Sequence, residues 1–150
     1  MYKKSENIEK LRKLIKELKT TVVNEERVND MFESIKDACK DGYWEWKFKD
    51  NYRYFSPSLK EQLGYDLKDD NLFFEKVKVL ISEEDETRVI ENLEKHFKSK
   101  GKEPFRVIIT YLKKNGDKIK ILCRGVVTEW DENGEPLRMV GSHIDVTDIN

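Results

Sequence analysis

The chain carries two histidines, His96 and His143, and two cysteines, Cys39 and Cys123. A metal site needs several such ligands, or carboxylates, presented together by one local spacing, and no Cys or carboxylate stands at such a spacing from either histidine. A catalytic metal is disfavoured. The cysteines lie far apart and form neither a CxxC pair nor a disulfide framework, which agrees with a reducing compartment, so both read as small buried side chains. Gly64, Gly101, Gly116, Gly125, Gly134 and Gly141 never assemble into a phosphate-cradling loop, because neither GxGxxG nor GKS/T occurs. Ser56, Ser82 and Thr147 have no histidine near them in sequence and read as helix or turn caps rather than nucleophiles. An independent enzyme is not expected from these residues.

Composition narrows the classes further. Of 150 residues, 37% are apolar and 39% charged, against a usual charged share of about 25%. The 11% of aromatic residues argues for a folded chain, since disordered chains lack the large side chains whose burial offsets chain entropy. With 29 basic and 30 acidic residues the net charge is -1, so no global positive field exists to hold a nucleic acid. No apolar stretch reaches the roughly 18 residues of a spanning helix, and the N-terminus MYKKSENIEK lacks the apolar core of a signal peptide. A cytoplasmic location is expected, with no membrane insertion of this segment, which could still be the cytoplasmic part of a larger membrane-associated protein.

The elements that would position these residues differ along the chain. The first forty residues contain no Gly, Pro or Trp, and Ile8, Leu11, Ile15, Leu18 and Val22 form an a/d seam among Lys and Glu. The seam is lost at Asn24 to Arg27 and resumes out of phase with Val28, Met31, Ile35 and Ala38, as a stutter or a break between two helices would do. So short a seam is marginal alone, and the helix is expected to pair with a second copy or to lie on the following domain.

The helical pattern stops at Asp41-Gly42. Tyr43 to Phe48 alternates strictly and reads as a half-buried strand, and Tyr52 to Phe55 as its hairpin partner. Ser56-Pro57 opens a short helix ending at Gly64, and Leu72 to Leu80 is apolar enough for another. Ser82-Glu83-Glu84-Asp85 begins a longer helix with the apolar stripe Val89, Ile90, Leu93 and Phe97. From Pro104 the period becomes two: strands at Phe105 to Leu112, Lys118 to Trp130 and Leu137 to Val146 are separated by Asn115-Gly116 and Asn133-Gly134, dipeptides suited to tight hairpin turns. The expected fold is α+β: one five-stranded antiparallel sheet with short helices and one long helix on one face, the first strand brought back beside the last. Residues 1–40 form a helical connector and residues 41–150 the domain.

This pattern resembles the PAS sensory fold with its C-terminal PAC motif. The resemblance rests on GYWEW at Gly42 to Trp46, YFSPSLKEQLGY at Tyr54 to Tyr65, EED with RV near Glu83 to Val89, KKNGDKIKILCRG at Lys113 to Gly125, DENGEPLRMVG at Asp131 to Gly141 and DVTDI at Asp145 to Ile149. Two departures stand out: Ser82-Glu83 replaces the His-Pro of many members, and Thr110 stands where an Arg is frequent.

The resemblance implies a sensor of a small ligand or partner, cut from a bacterial or archaeal signalling protein, with flanking helices leading to an effector such as a histidine kinase or diguanylate cyclase. A cavity between sheet and long helix would be walled by Trp44, Trp46, Tyr54, Phe74, Leu93, Phe97, Phe105 and Cys123, unless those residues simply fill the core. Asp145 and Thr147 resemble the family's signalling triplet, and Ile8, Leu11, Ile15, Leu18 and Val22 would join two copies. Neither haem nor flavin is expected: His96 stands late in the helix that carries the iron ligand in haem-binding relatives, and Cys123-Arg124 lies in a strand without the Asn of the photoreceptor motif. The competing expectation is a ligand-free dimerisation or protein-interaction module.

Overall fold

The computed structural model describes residues 2–149; Met1 and Asn150, the outermost residues of the two expected segments, lie outside the described residues. Two compact units divide between Lys40 and Asp41.

The first unit is one helix, α1 (Tyr2–Cys39). Asn24 to Arg27 do not break it, because the segment holds no Gly or Pro and nothing there interrupts the backbone ladder. The shift in the apolar row is thus a stutter within a continuous helix rather than a boundary between two. Ile8, Leu11, Ile15, Leu18 and Val22 are 44 to 63% exposed, so the seam is uncovered. Cys39, expected to be buried, is exposed at the helix end.

The second unit contains β1 (Gly42–Lys47), β2 (Tyr52–Phe55), α2 (Pro57–Leu63), α3 (Asp70–Val77), α4 (Glu83–Lys98), β3 (Phe105–Leu112), β4 (Lys118–Trp130) and β5 (Pro136–Asp145). The strands form one antiparallel sheet in the order β2-β1-β5-β4-β3. This is the expected α+β arrangement, with the first strand paired to the last. Boundaries move by a residue at β1 and β5, and Phe48 falls just past β1, its N–H donating to the Leu137 carbonyl at 3.1 Å. The single helix expected over Leu72 to Leu80 is α3 followed by a 3-10 turn at Lys78–Leu80.

Local chemistry sets the starts and stops. Ser56 caps α2, its hydroxyl accepting from Leu59 N at 3.2 Å, and also accepts from Tyr43 N at 2.9 Å, tying the helix to β1. Gly64 ends α2 in the left-handed region with φ 79°, where glycine carries no Cβ penalty. Ser82 caps α4, with four acids in its first turn and Lys95, His96 and Lys98 in its last, matching the helix dipole at both ends. Both C-terminal hairpins are wider than two-residue turns. Lys113 N reaches Asp117 O at 2.8 Å and Asp131 N reaches Glu135 O at 2.9 Å, because Asn115 and Asp131 side chains accept backbone N–H groups inside each loop.

The edge strand β3 is covered by α4. Asp85 Oδ2 accepts from Thr110 N at 3.0 Å, and Arg88 donates to the Ile108 carbonyl, so backbone groups that would otherwise invite another strand are occupied. His96, in the last turn of α4, is buried. Its Nε2 accepts from Val127 N at 3.1 Å, which requires the proton on Nδ1, 2.7 Å from the Glu103 carbonyl.

Candidate functional site

Period-two alternation aims one set of side chains from every strand at the helices. Register joins Trp44, Gly141, Gly125 and Phe105 in one row across the sheet, and Gly42, His143, Cys123 and Val107 in the next. The two central glycines let the Trp44 indole lie flat over β5 and β4. A Cβ on Gly125 would sit 2.8 Å from Trp44 Cη2, and one on Gly141 would enter the indole itself. Trp44 then meets Phe105 edge-on with ring centroids 6.5 Å apart.

Between this surface and the helices lies a cavity of about 310 Å³, within the usual range for small-molecule sites. The sheet contributes Trp44, Trp46, Phe55, Phe105, Ile109, Tyr111, Cys123 and His143; Leu59 and Leu63 come from α2, Phe73, Phe74 and Val77 from α3, Val89, Ile90 and Leu93 from α4, and Ile81 from the turn before it. Glu45, Arg53, Lys78 and Glu86 complete the lining. They are exposed or half-buried and mark the opening. Arg53 stacks on Phe74, guanidinium carbon 4.0 Å from the ring centroid, while Lys78 pairs with Glu75 at 2.6 Å and Glu45 with Arg138 at 2.5 Å.

Six of the eight expected wall residues line the cavity: Trp44, Trp46, Phe74, Leu93, Phe105 and Cys123. Tyr54 does not: its side chain alternates with those of Arg53 and Phe55, which face the cavity, and its ring packs on Tyr43 with centroids 6.1 Å apart. Phe97 does not either; it lies a turn further along α4 than Leu93 and packs edge-on against Phe48 at 5.7 Å. The most consequential residue missed is His143. Alternation with Met139 and Gly141 on β5 places it inward, a signal already present in the strand pattern.

Burial controls the ionisable groups of the inner wall. Desolvation lowers the His143 pKa from the usual 6.5 to about 4, so the ring is neutral. Burial pushes the Cys123 thiol up to about 12, opposed by the nearby Trp44 indole. Tyr111 is raised well above its usual range, first by burial and then by Cys123 and Asp85. Trp44 Nε1 and His143 Nδ1 are buried without hydrogen-bond partners of acceptable geometry. Among the described residues, no group of three or more His, Cys, Asp or Glu is placed to share a metal ion, and no helix is long and apolar enough to cross a membrane.

The last strand ends in a closed knot of hydrogen bonds. Asp145 Oδ1 accepts from Thr147 N at 3.0 Å and Thr147 Oγ1 at 2.6 Å, and Thr147 Oγ1 accepts from Lys120 N at 3.0 Å. These two residues are therefore linked to each other and to β4.

The family model described as "PAS fold" matches residues 52–143. The chain belongs to the PAS-fold family. As a PAS sensory domain it has structural relatives in signalling proteins. A sensory box histidine kinase/response regulator from Burkholderia thailandensis E264 shares 28% identity at a TM-score of 0.61, with 78% of this chain and 85% of that chain covered. The N-terminal domain of a diguanylate cyclase with PAS/PAC sensor from Marinobacter aquaeolei shares 17% identity, TM-score 0.55, covering 71% and 95%. The LOV domain of a blue-light activated histidine kinase from Erythrobacter litoralis EL346 shares 16%, TM-score 0.50, covering 72% and 97%. These last two likenesses concern the PAS fold alone. No curated protein matches the chain.

Proposed function

We propose that this PAS domain is the ligand-responsive regulatory part of a signalling protein, its parent a histidine kinase or diguanylate cyclase. The observation that carries this reading is the cavity of about 310 Å³ beneath α4, a volume a small domain would ordinarily fill with side chains. The domain binds without catalysis of its own. It needs no prosthetic group: both ring nitrogens of His96 are engaged, and Cys123 is a neutral thiol on β4. Two copies pair in the cytoplasm along the exposed seam of α1. Ligand occupancy biases that pairing and, through Asp145 and Thr147, the chain leaving β5.

A ligand-free dimerisation or protein-interaction module is the second reading, favoured by the same uncovered seam. Native mass spectrometry of the purified chain separates the two. A dimer that retains a small molecule supports the sensor, whereas a clean dimer that binds nothing on ligand screening sinks it in favour of the module.

A further inference from the structure

The cavity's wall carries information about its occupant. At ~30 Å³ per molecule, the space corresponds to about ten waters, each wanting two to four polar partners. The buried wall offers few. Its hydrocarbon and aromatic side chains favour an apolar guest over a water cluster.

The exceptions are local. Trp44 Nε1 and His143 Nδ1 belong to lining residues and are buried without a partner of good geometry, the indole N–H having only the weakly accepting Cys123 sulfur near it; the third such atom, Gln62 Oε1, is not on the wall. His143 is 7% exposed. The two residues are neighbours in register, since Trp44 opposes Gly141 and Gly42 opposes His143. An indole N–H can only donate, and a buried donor left unpaired carries a desolvation cost that a ligand acceptor would relieve.

Charge is absent from this inner end. The cations of the described lining are Arg53 and Lys78. Arg53 is stacked on Phe74 with Nη1 donating to Asn51 Oδ1 at 3.0 Å, and Lys78 is paired with Glu75. An anionic group beside His143 would be buried without a counter-charge.

Resting on the ligand-binding reading above, we propose that the occupant is a neutral, largely apolar small molecule with a carbonyl-type acceptor at one end. Trp44 Nε1 donates to that acceptor and His143 Nδ1 lies beside it.

Calorimetric titration with naphthalene, naphthyl methyl ketone and naphthoate tests this, because the three share one ring system. The ketone is expected to bind about tenfold tighter than naphthalene, the worth of one good hydrogen bond, with naphthoate weakest. Trp44→Phe should abolish the ketone's advantage over naphthalene, whatever the change in binding common to both probes. The ranking on the unmodified protein decides even if that variant folds poorly. Naphthoate equal to or tighter than the ketone, or a ketone no better than naphthalene, overturns the assignment while leaving ligand binding intact. If no probe binds, the mass of any co-purified molecule decides: a charged species, or one lacking an acceptor, overturns the assignment, and a neutral carbonyl compound supports it. No probe bound and nothing retained overturns both this assignment and the ligand-binding reading beneath it.

Discussion

Trp44 lies across Gly141, its register partner on β5, so closely that a methyl group on Gly141 would occupy the volume of the indole. The floor of the cavity is therefore an aromatic ring resting on bare backbone. Gly125, opposite Gly141 on β4, extends that bare track toward Phe105.

Gly141→Ala should destabilise the domain by about 1–3 kcal/mol, the usual cost of overpacking. Gly125→Ala should cost less, because its nearest obstacles are the side chains of Trp44 and Met139, whereas Gly141 also faces the Arg124 carbonyl, which cannot rotate away. Urea unfolding of the two variants checks the order. Equal midpoints would show that Trp44 yields easily and that the glycine track is incidental.

His96 fastens α4 to the sheet. His96→Leu leaves Val127 N–H and the Glu103 carbonyl without their partner; the buried Val127 N–H deprived in this way costs about 1–3 kcal/mol, while the Glu103 carbonyl, on an exposed residue, can turn to water. Loss should show as a lower melting temperature and as faster hydrogen exchange at Val127. An unchanged exchange rate at that amide would contradict the assignment.

His143 makes stability depend on pH. Its folded pKa, about 4, is below the usual 6.5, so in the unfolded chain it takes a proton first as pH falls. The contribution is complete above about pH 6.5 and is lost as pH drops toward 4. Between about pH 7 and pH 5 the loss should be about 2 kcal/mol. Denaturant titrations at both values, on the native chain and on His143→Asn, isolate the term: the variant should lack this component. A parallel pH response in both chains would place the proton elsewhere.

Asp145→Ala removes both acceptor contacts to Thr147. Since Asp145 is exposed, the stability change should stay within about 1 kcal/mol, while exchange at the Lys120 amide, held by Thr147 Oγ1, should accelerate. In the parent protein the variant should uncouple input from output with ligand affinity preserved. Normal regulation in that variant would remove Asp145 and Thr147 from the relay.

Much of the architecture was legible in the chain. Strand alternation marked β3 and β4 to the residue, and Ser56, Gly64 and Ser82 announced the ends of α2 and the start of α4, because caps and period act through near neighbours. The exposed seam from Ile8 to Val22 was equally visible, as a spacing of apolar residues on one helix face. Residue types alone could not separate the wall from the rest of the core. Tyr54 and Phe97 are as aromatic as Trp44 and Phe105, yet the parity of β2 and one further turn of α4 carry them away from the cavity. Local sequence left His143 unexplained and gave His96 no more than a place near a helix C-terminus. Only the assembled sheet gave one of them two backbone partners and left the other neutral beside Trp44, because burial and long-range pairing depend on which distant strands become neighbours.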